Sequence, residues 1–177
     1  MPSQPDVYVR GGVPVMCATE GGRADFSGRW EMDLVASDKL GAILRELGLN
    51  PVLASVVTRL PVKETISQQG DAVVVRVTTR ISESVLELRP GELTYMPGIA
   101  GGTAAAISTW LDEARLKTVQ ALDGTCCQPD EPSADTFVTV RSLRDGRSSL
   151  VEECSVLRGG VLVPGCSARR ILRRVAL

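Results

Sequence analysis

After Pro61 the apolar residues of this chain recur at every second position, in short runs broken by glycine and proline. That change of period constrains the fold more than any other feature. Strand-like runs cover residues 62–67, 72–80, 84–88, 93–96, 115–122, 136–143, 149–156, 161–163 and 168–175. Between them stand Gly70-Asp71, Pro90-Gly91, Asp123-Gly124, Asp145-Gly146, Gly159-Gly160 and Pro164-Gly165, all good turn-forming pairs. Each strand must bury one face, so so many short strands imply a sandwich or a barrel. Residues 98–113 are less decided. Their small residues suit either a mobile loop or a strand with little packing volume.

Ahead of Pro61 the period is helical. Leu40, Ile43, Leu44 and Leu47 fall on one helix face, with Ser37 as the expected N-cap and Gly48 as the stop. Asn50-Pro51 caps and starts a second helix with the stripe Leu53, Val56, Val57 and Leu60, and Pro61 ends it. The pair lacks a basic recognition face, so it does not read as a DNA-binding helix-turn-helix. Immediately before it lies Phe26-Ser27-Gly28-Arg29-Trp30, the opening of a first strand. A small residue beside a buried tryptophan lets an indole lie across the closed end of a barrel. Residues 1–24 carry little periodicity and are expected to be a flexible extension with one short strand near residues 7–9, leaving 25–177 as the folded domain.

The 177 residues contain 20 basic and 21 acidic side chains, and this balance argues against general nucleic-acid or anionic-membrane binding. An apolar fraction of 44% is enough for a sizeable core. The chain has no histidine, which removes Ser-His-Asp and Cys-His catalysis together with His-ligated zinc and haem. Its five cysteines, Cys17, Cys126, Cys127, Cys154 and Cys166, include no Cys-x-x-Cys pair. Neither a zinc site nor a disulfide framework is expected, and a reducing, cytoplasmic setting fits. There is no run of 18 apolar residues and no basic-then-apolar leader pattern.

In order and spacing these features resemble the intracellular fatty-acid-binding proteins, the ten-stranded branch of the calycins. The residues that carry the likeness are Phe26-x-Gly28-x-Trp30, the helix pair after it, Pro61 at the next strand, Gly70-Asp71, Leu122-Asp123-Gly124, Asp145-Gly146 and the arginine-rich last strand from Arg169. The resemblance implies a mainly β fold: a ten-stranded antiparallel up-and-down barrel with a two-helix lid after the first strand. It also implies an internal cavity. There, members of the family that bind fatty acids hold the carboxylate with two arginines and a tyrosine from late strands, through charge-assisted bonds.

This chain departs from that pattern. Leu40 stands at an aromatic position of the first helix, and residues 98–113 look inserted. Arg170 matches the second arginine of the clamp, but Leu172 takes the place of the tyrosine, and Glu153 or a close neighbour takes that of the first arginine. With Arg170 inward, Leu172 and Arg174 share its face. A slip of one residue would turn Arg169, Ile171 and Arg173 in instead. The inward register is expected, and Glu153 would then pair with Arg170 inside the barrel.

The expected ligand-binding residues are Arg170, Leu172, Glu153 and Val151 on the last strands, Leu53 and Val57 of the second helix at the portal, and Val75. The function expected is a non-enzymatic, monomeric carrier of a lipophilic small molecule such as a fatty acid, sterol, isoprenoid or pigment. A neutral or weakly polar ligand is favoured, because a glutamate stands in the arginine's place. No cofactor, metal or catalytic residue is expected, nor any nucleic-acid partner, and membrane contact would be transient, for ligand exchange. The rival reading is a barrel kept as an interaction scaffold, with its interior filled. Catalysis by Glu152, Glu153 or the Asp112-Glu113 pair ranks below both, because acidic pairs on strands and loops are usually solvated. Cys154 reads as a small buried hydrophobe before it reads as a nucleophile.

Overall fold

A computed structural model describes residues 22–98, 101–122 and 134–176. The expected strand near residues 7–9, Cys17, Cys126, Cys127 and the Asp123-Gly124 turn lie outside the described residues. Ten strands form one antiparallel sheet: β1 (Gly28–Met32), β2 (Lys63–Gln69), β3 (Ala72–Thr78), β4 (Glu83–Leu88), β5 (Leu93–Pro97), β6 (Thr103–Trp110), β7 (Arg115–Ala121), β8 (Thr136–Arg144), β9 (Ser149–Arg158) and β10 (Val161–Val175). Two short helices, α1 (Gly41–Glu46) and α2 (Pro51–Val57), connect β1 to β2. The strand order is β4-β3-β2-β1-β10-β9-β8-β7-β6-β5, so every neighbour is the next strand in sequence except where β1 meets β10. The two ends of the sheet, β4 and β5, are joined by residues 89–92 and lie side by side, with no ladder between them among the described residues. This is the expected up-and-down barrel.

The opening motif closes the base. Phe26 and Trp30 are fully buried with Ile66, Val73, Val75, Leu150 and Leu172. Phe26 stacks on Trp110 with ring centroids 5.7 Å apart, and Trp30 Nε1 donates to the Phe26 carbonyl at 3.0 Å. The Arg174 guanidinium lies over the Trp30 indole, 4.3 Å from its centroid, and donates to the Ser27 carbonyl. Gly28 makes room for it. Its φ is 144°, and a Cβ there would sit 2.6 Å from Arg174 Nη1. Arg23 and Ala24, assigned from sequence to the extension, are tied in here. Ala24 donates to the Glu113 carbonyl, and Arg23 lies over the Trp110 ring.

β1 is short, and the segment after it completes the edge of β10 by other means. The Asp33 and Asp38 amides donate to the Ile171 and Arg169 carbonyls, while Asp38 Oδ2 and Ser37 Oγ accept from the Arg169 and Ile171 amides. Ser37 is therefore engaged with β10 and does not cap α1, whose N-cap is Leu40. Asn50 does cap α2, accepting from the Val52 amide at 2.8 Å, with Pro51 at the first helical position.

One open strand reading is decided and one strand expectation is corrected. Of the two readings left open for the small-residue stretch, the strand with little packing volume is the one found from Thr103 on, as β6, where Ala104, Ala105 and Ala106 are buried between β5 and β7. The two arms expected on either side of Pro164-Gly165 form the single strand β10, irregular between Leu162 and Ser167.

Candidate functional site

Above the base the barrel is hollow. A cavity of about 750 Å³ is bounded by Leu40, Ile43 and Leu44 of α1, by apolar side chains of β3 to β5 such as Val77, Leu88 and Met96, and by polar side chains of β7 to β10. Its exposed lining residues, Ser82, Glu83, Val85 and Pro97, mark where it meets solvent, at the β3–β4 turn and the end of β5. α1 packs down on β9 and β10, through Ile43 and Leu47 against Cys154, Val156, Cys166 and Ala168. Arg158 holds α1 from below, pairing with Glu46 at 3.0 Å and Asp135 at 2.8 Å.

At the centre of the wall is a buried ionic cluster. Residues directly opposite across an antiparallel ladder share a face, and Glu152 stands opposite Arg141 on one side and Arg170 on the other. Its carboxylate lies 2.8 Å from Arg141 Nη2 and 2.7 Å from Arg170 Nη1, at ion-pair distance though poorly aligned for hydrogen bonds. Arg170 also reaches Glu64 of β2, with Nη2 3.4 Å from Oε1. Thus Glu152 bridges two guanidiniums and Arg170 bridges two carboxylates. Glu64 Oε2, Arg141 Nε and Arg170 Nε are buried without a hydrogen-bond partner.

Burial and the neighbouring Glu152 push the Glu64 carboxyl up to about 7, against the opposing pull of Arg170 and Arg141. Burial also acts to raise Glu152, but its two arginines outweigh it and hold the carboxyl below the usual range. Arg170 is held protonated by Glu152 and Glu64 despite its burial. Burial and Glu152 push the Cys154 thiol up to about 12, so it stays protonated and is a poor nucleophile.

These shifts act on stability in opposite directions. Glu64 binds its proton more tightly folded than unfolded, so its contribution is complete below the unfolded value of 4.5 and is lost as pH rises through about 7. Glu152 contributes stability above 4.5 that is lost as pH falls through its lowered folded value. Urea denaturation is expected to show the wild type losing on the order of 1–3 kcal/mol between about pH 5 and pH 8 relative to Glu64→Gln. Equal pH profiles would contradict the assignment.

Of the residues singled out from sequence, Arg170 lines the cavity. Leu172 shares its face but sits one layer lower, in the sealed base with Val75. Glu153 is corrected to Glu152. Glu153 stands opposite Arg169 on the outer face and is exposed. Val151 also belongs to the outer face, opposite Ser142 and Ile171. Leu53 and Val57 do not reach the cavity. α2 buries only Ala54, leaving Leu53 about half exposed, and the helix that covers the cavity is α1. Sequence reading missed Glu64 and Arg141. The available signal was a charge at an inward position of an alternating strand, between Pro61 and Ile66 and between Thr139 and Leu143. Among the described residues, no group of three or more acidic or cysteine side chains is placed to hold a metal ion, and no helix is long and apolar enough to cross a membrane.

A ten-stranded antiparallel barrel, entered by two helices after its first strand and hollow around a polar cluster, is the architecture of the fatty-acid-binding proteins. Solved structures with this fold bear that out. The fold is similar to the REP1-NXSQ fatty acid transporter, at a TM-score of 0.66 and 14% identity over 85% of this chain and 96% of that one. It is also similar to apo lipid binding protein 8 of Caenorhabditis elegans, at 0.65 and 13% identity over 85% and 95% of the two chains. The fatty acid-binding protein from brain tissue of Drosophila melanogaster matches at 0.63 and 18% identity over 84% and 99%. The chain therefore has the fatty-acid-binding-protein fold, in a highly divergent sequence. No protein-family model and no curated protein matches the sequence.

Proposed function

We propose that this protein is a soluble intracellular carrier that holds a lipophilic small molecule inside the barrel and performs no catalysis. The observation that carries this reading is the cavity of about 750 Å³, within the range of about 300–1,000 Å³ typical of small-molecule sites. Its apolar wall suits a hydrocarbon tail or ring system, and the cluster of Glu64, Arg141, Glu152 and Arg170 suits one polar head. Because Glu152 already occupies the space between the two guanidiniums, a plain carboxylate meets a competitor there, and a neutral or weakly polar head is the better fit. A scaffold with a filled interior is not favoured, since the interior is open. Fold similarity to lipid-binding and fatty-acid-binding proteins supports the carrier reading.

The test is a parallel titration with a fluorescent fatty-acid analogue and a fluorescent neutral sterol. Saturable binding of at least one is expected, and it should be abolished by Val77→Trp, which places an indole in the cavity while the barrel still folds by circular dichroism. If neither ligand binds the wild type, the reading fails.

A further inference from the structure

Four ionisable side chains face one another in the cavity wall, and their charges do not balance without Glu64. Arg141 and Arg170 bring two positive charges, and Glu152, clasped between them, brings one negative charge. Glu64 supplies the other from β2, two strands along the sheet from β10, and only through the longer contact with Arg170 at 3.4 Å. On its own strand and the strands beside it, Glu64 meets no further charge at its level, because its ladder neighbours are Trp30 of β1 and Val77 of β3. The other titratable or charged groups around the cavity are Arg141, Glu152, Cys154 and Arg170, and towards the opening Glu83, which pairs with Arg76. Glu64 is thus the one carboxylate of the cluster with an oxygen that faces no guanidinium, since both Glu152 oxygens lie at ion-pair distance. Its Oε2 is buried and without a hydrogen-bond partner, as are Arg141 Nε, Arg170 Nε and the two Glu152 oxygens.

The consequence for a ligand depends on one proton. With Glu64 neutral, the cluster carries one uncompensated positive charge in a poorly solvated site, and an anionic head group restores balance while accepting from the spare guanidinium N–H groups. Ionised Glu64 makes the cluster neutral. A second anion would then be buried unpaired, and the free carboxylate oxygen calls for a donor. We propose that Glu64 determines the class of head group this cavity accepts: neutral Glu64 admits an anionic amphiphile, whereas ionised Glu64 excludes it and takes a hydroxyl-bearing one. This rests on the carrier reading above. The Glu64 carboxyl, pushed up to about 7, makes both states accessible near neutral pH.

The experiment uses two amphiphiles that share a tail and do not titrate in the working range, dodecane-1-sulfonate and dodecan-1-ol. Each displaces a neutral solvatochromic dye from the full-length protein, below its micelle concentration, from about pH 5.5 to pH 8.5. The sulfonate affinity is expected to be level at the acid end and to fall by up to about tenfold per pH unit above about pH 7, while the alcohol changes by less than about twofold. In Glu64→Gln the sulfonate affinity should stay near its acid-side value throughout. A sulfonate-to-alcohol ratio that does not vary with pH in the wild type, or a slope that survives in Glu64→Gln, overturns the proposal and leaves the carrier reading standing. If neither amphiphile displaces the dye at any pH, the carrier reading falls and the proposal falls with it.

Discussion

Glu152→Ala is expected to destabilise the barrel by about 3–5 kcal/mol, the usual cost of removing one member of a buried ionic cluster. The side chain is wholly buried, and its two oxygens are what hold Arg141 of β8 and Arg170 of β10 on either side of it. Without it two guanidiniums face each other in the wall, and Glu64, beyond the first contact of Arg141, balances only one of them. Chemical denaturation would show the loss, and it should be smaller at high salt, where an anion can enter the cavity. The complementary variant replaces the whole cluster: Glu64→Leu, Arg141→Met, Glu152→Leu and Arg170→Met together. Because desolvating four charges costs nearly as much as their pairing returns, this variant is expected to be as stable as the wild type or more so. If the single substitution is tolerated, or the quadruple variant unfolds, the cluster is not the strained balance described here. A stable quadruple variant would also mean that the charges are kept for something other than stability, which is what a head-group site requires.

Trp30→Ala is expected to cost a similar amount, about 3–5 kcal/mol, for a different reason. Trp30 is 1% exposed, at the centre of the cluster that seals the base. Truncation leaves a void under Phe26 and Leu172, breaks the bond from Nε1 to the Phe26 carbonyl, and takes the ring from beneath the Arg174 guanidinium. Trp30→Phe keeps most of the volume but loses the hydrogen bond, so it should fall between the two. Thermal unfolding of the three proteins would order them wild type, Phe, Ala. A truncation that left stability unchanged would mean that the base is not where the core is made.

Much of this architecture could be read from residue order. Period-two alternation placed most of the strands, Gly-x-Trp placed the base, and Asn50-Pro51 placed the start of α2. These signals are local, because a strand face, a turn and a cap are each set by a few neighbouring residues. The helix pair was found, but the helix that covers the cavity was not distinguished. Both helices carry an apolar stripe, and only packing against β9 and β10 buries that of α1 and leaves Leu53 and Val56 of α2 at the surface. β6 is undecided from sequence because its three alanines carry little strand preference. Its burial comes from the strands on either side.

The inward charges show where local reading ended. Arg170 could be placed on the face of Leu172 by alternation along one strand, and that expectation matches the structure. Its partner could not be placed the same way, because Glu152 and Glu153 are adjacent and one of them must face each side. A regular hairpin extended from the Gly159-Gly160 turn pairs Val161 with Arg158 and Leu162 with Leu157, and would set Arg170 on the face of Glu153. Between Leu162 and Ser167, however, β10 takes five steps while β9 takes two, from Leu157 to Ser155. The surplus is odd, so the faces exchange and Glu152 turns inward. The sequence by itself determined that a barrel forms, where it is sealed, and that a charged residue stands inside its last strand. Only the tertiary structure decided which charges meet there, because their meeting depends on register across five strands and on one irregularity whose length no local preference encodes.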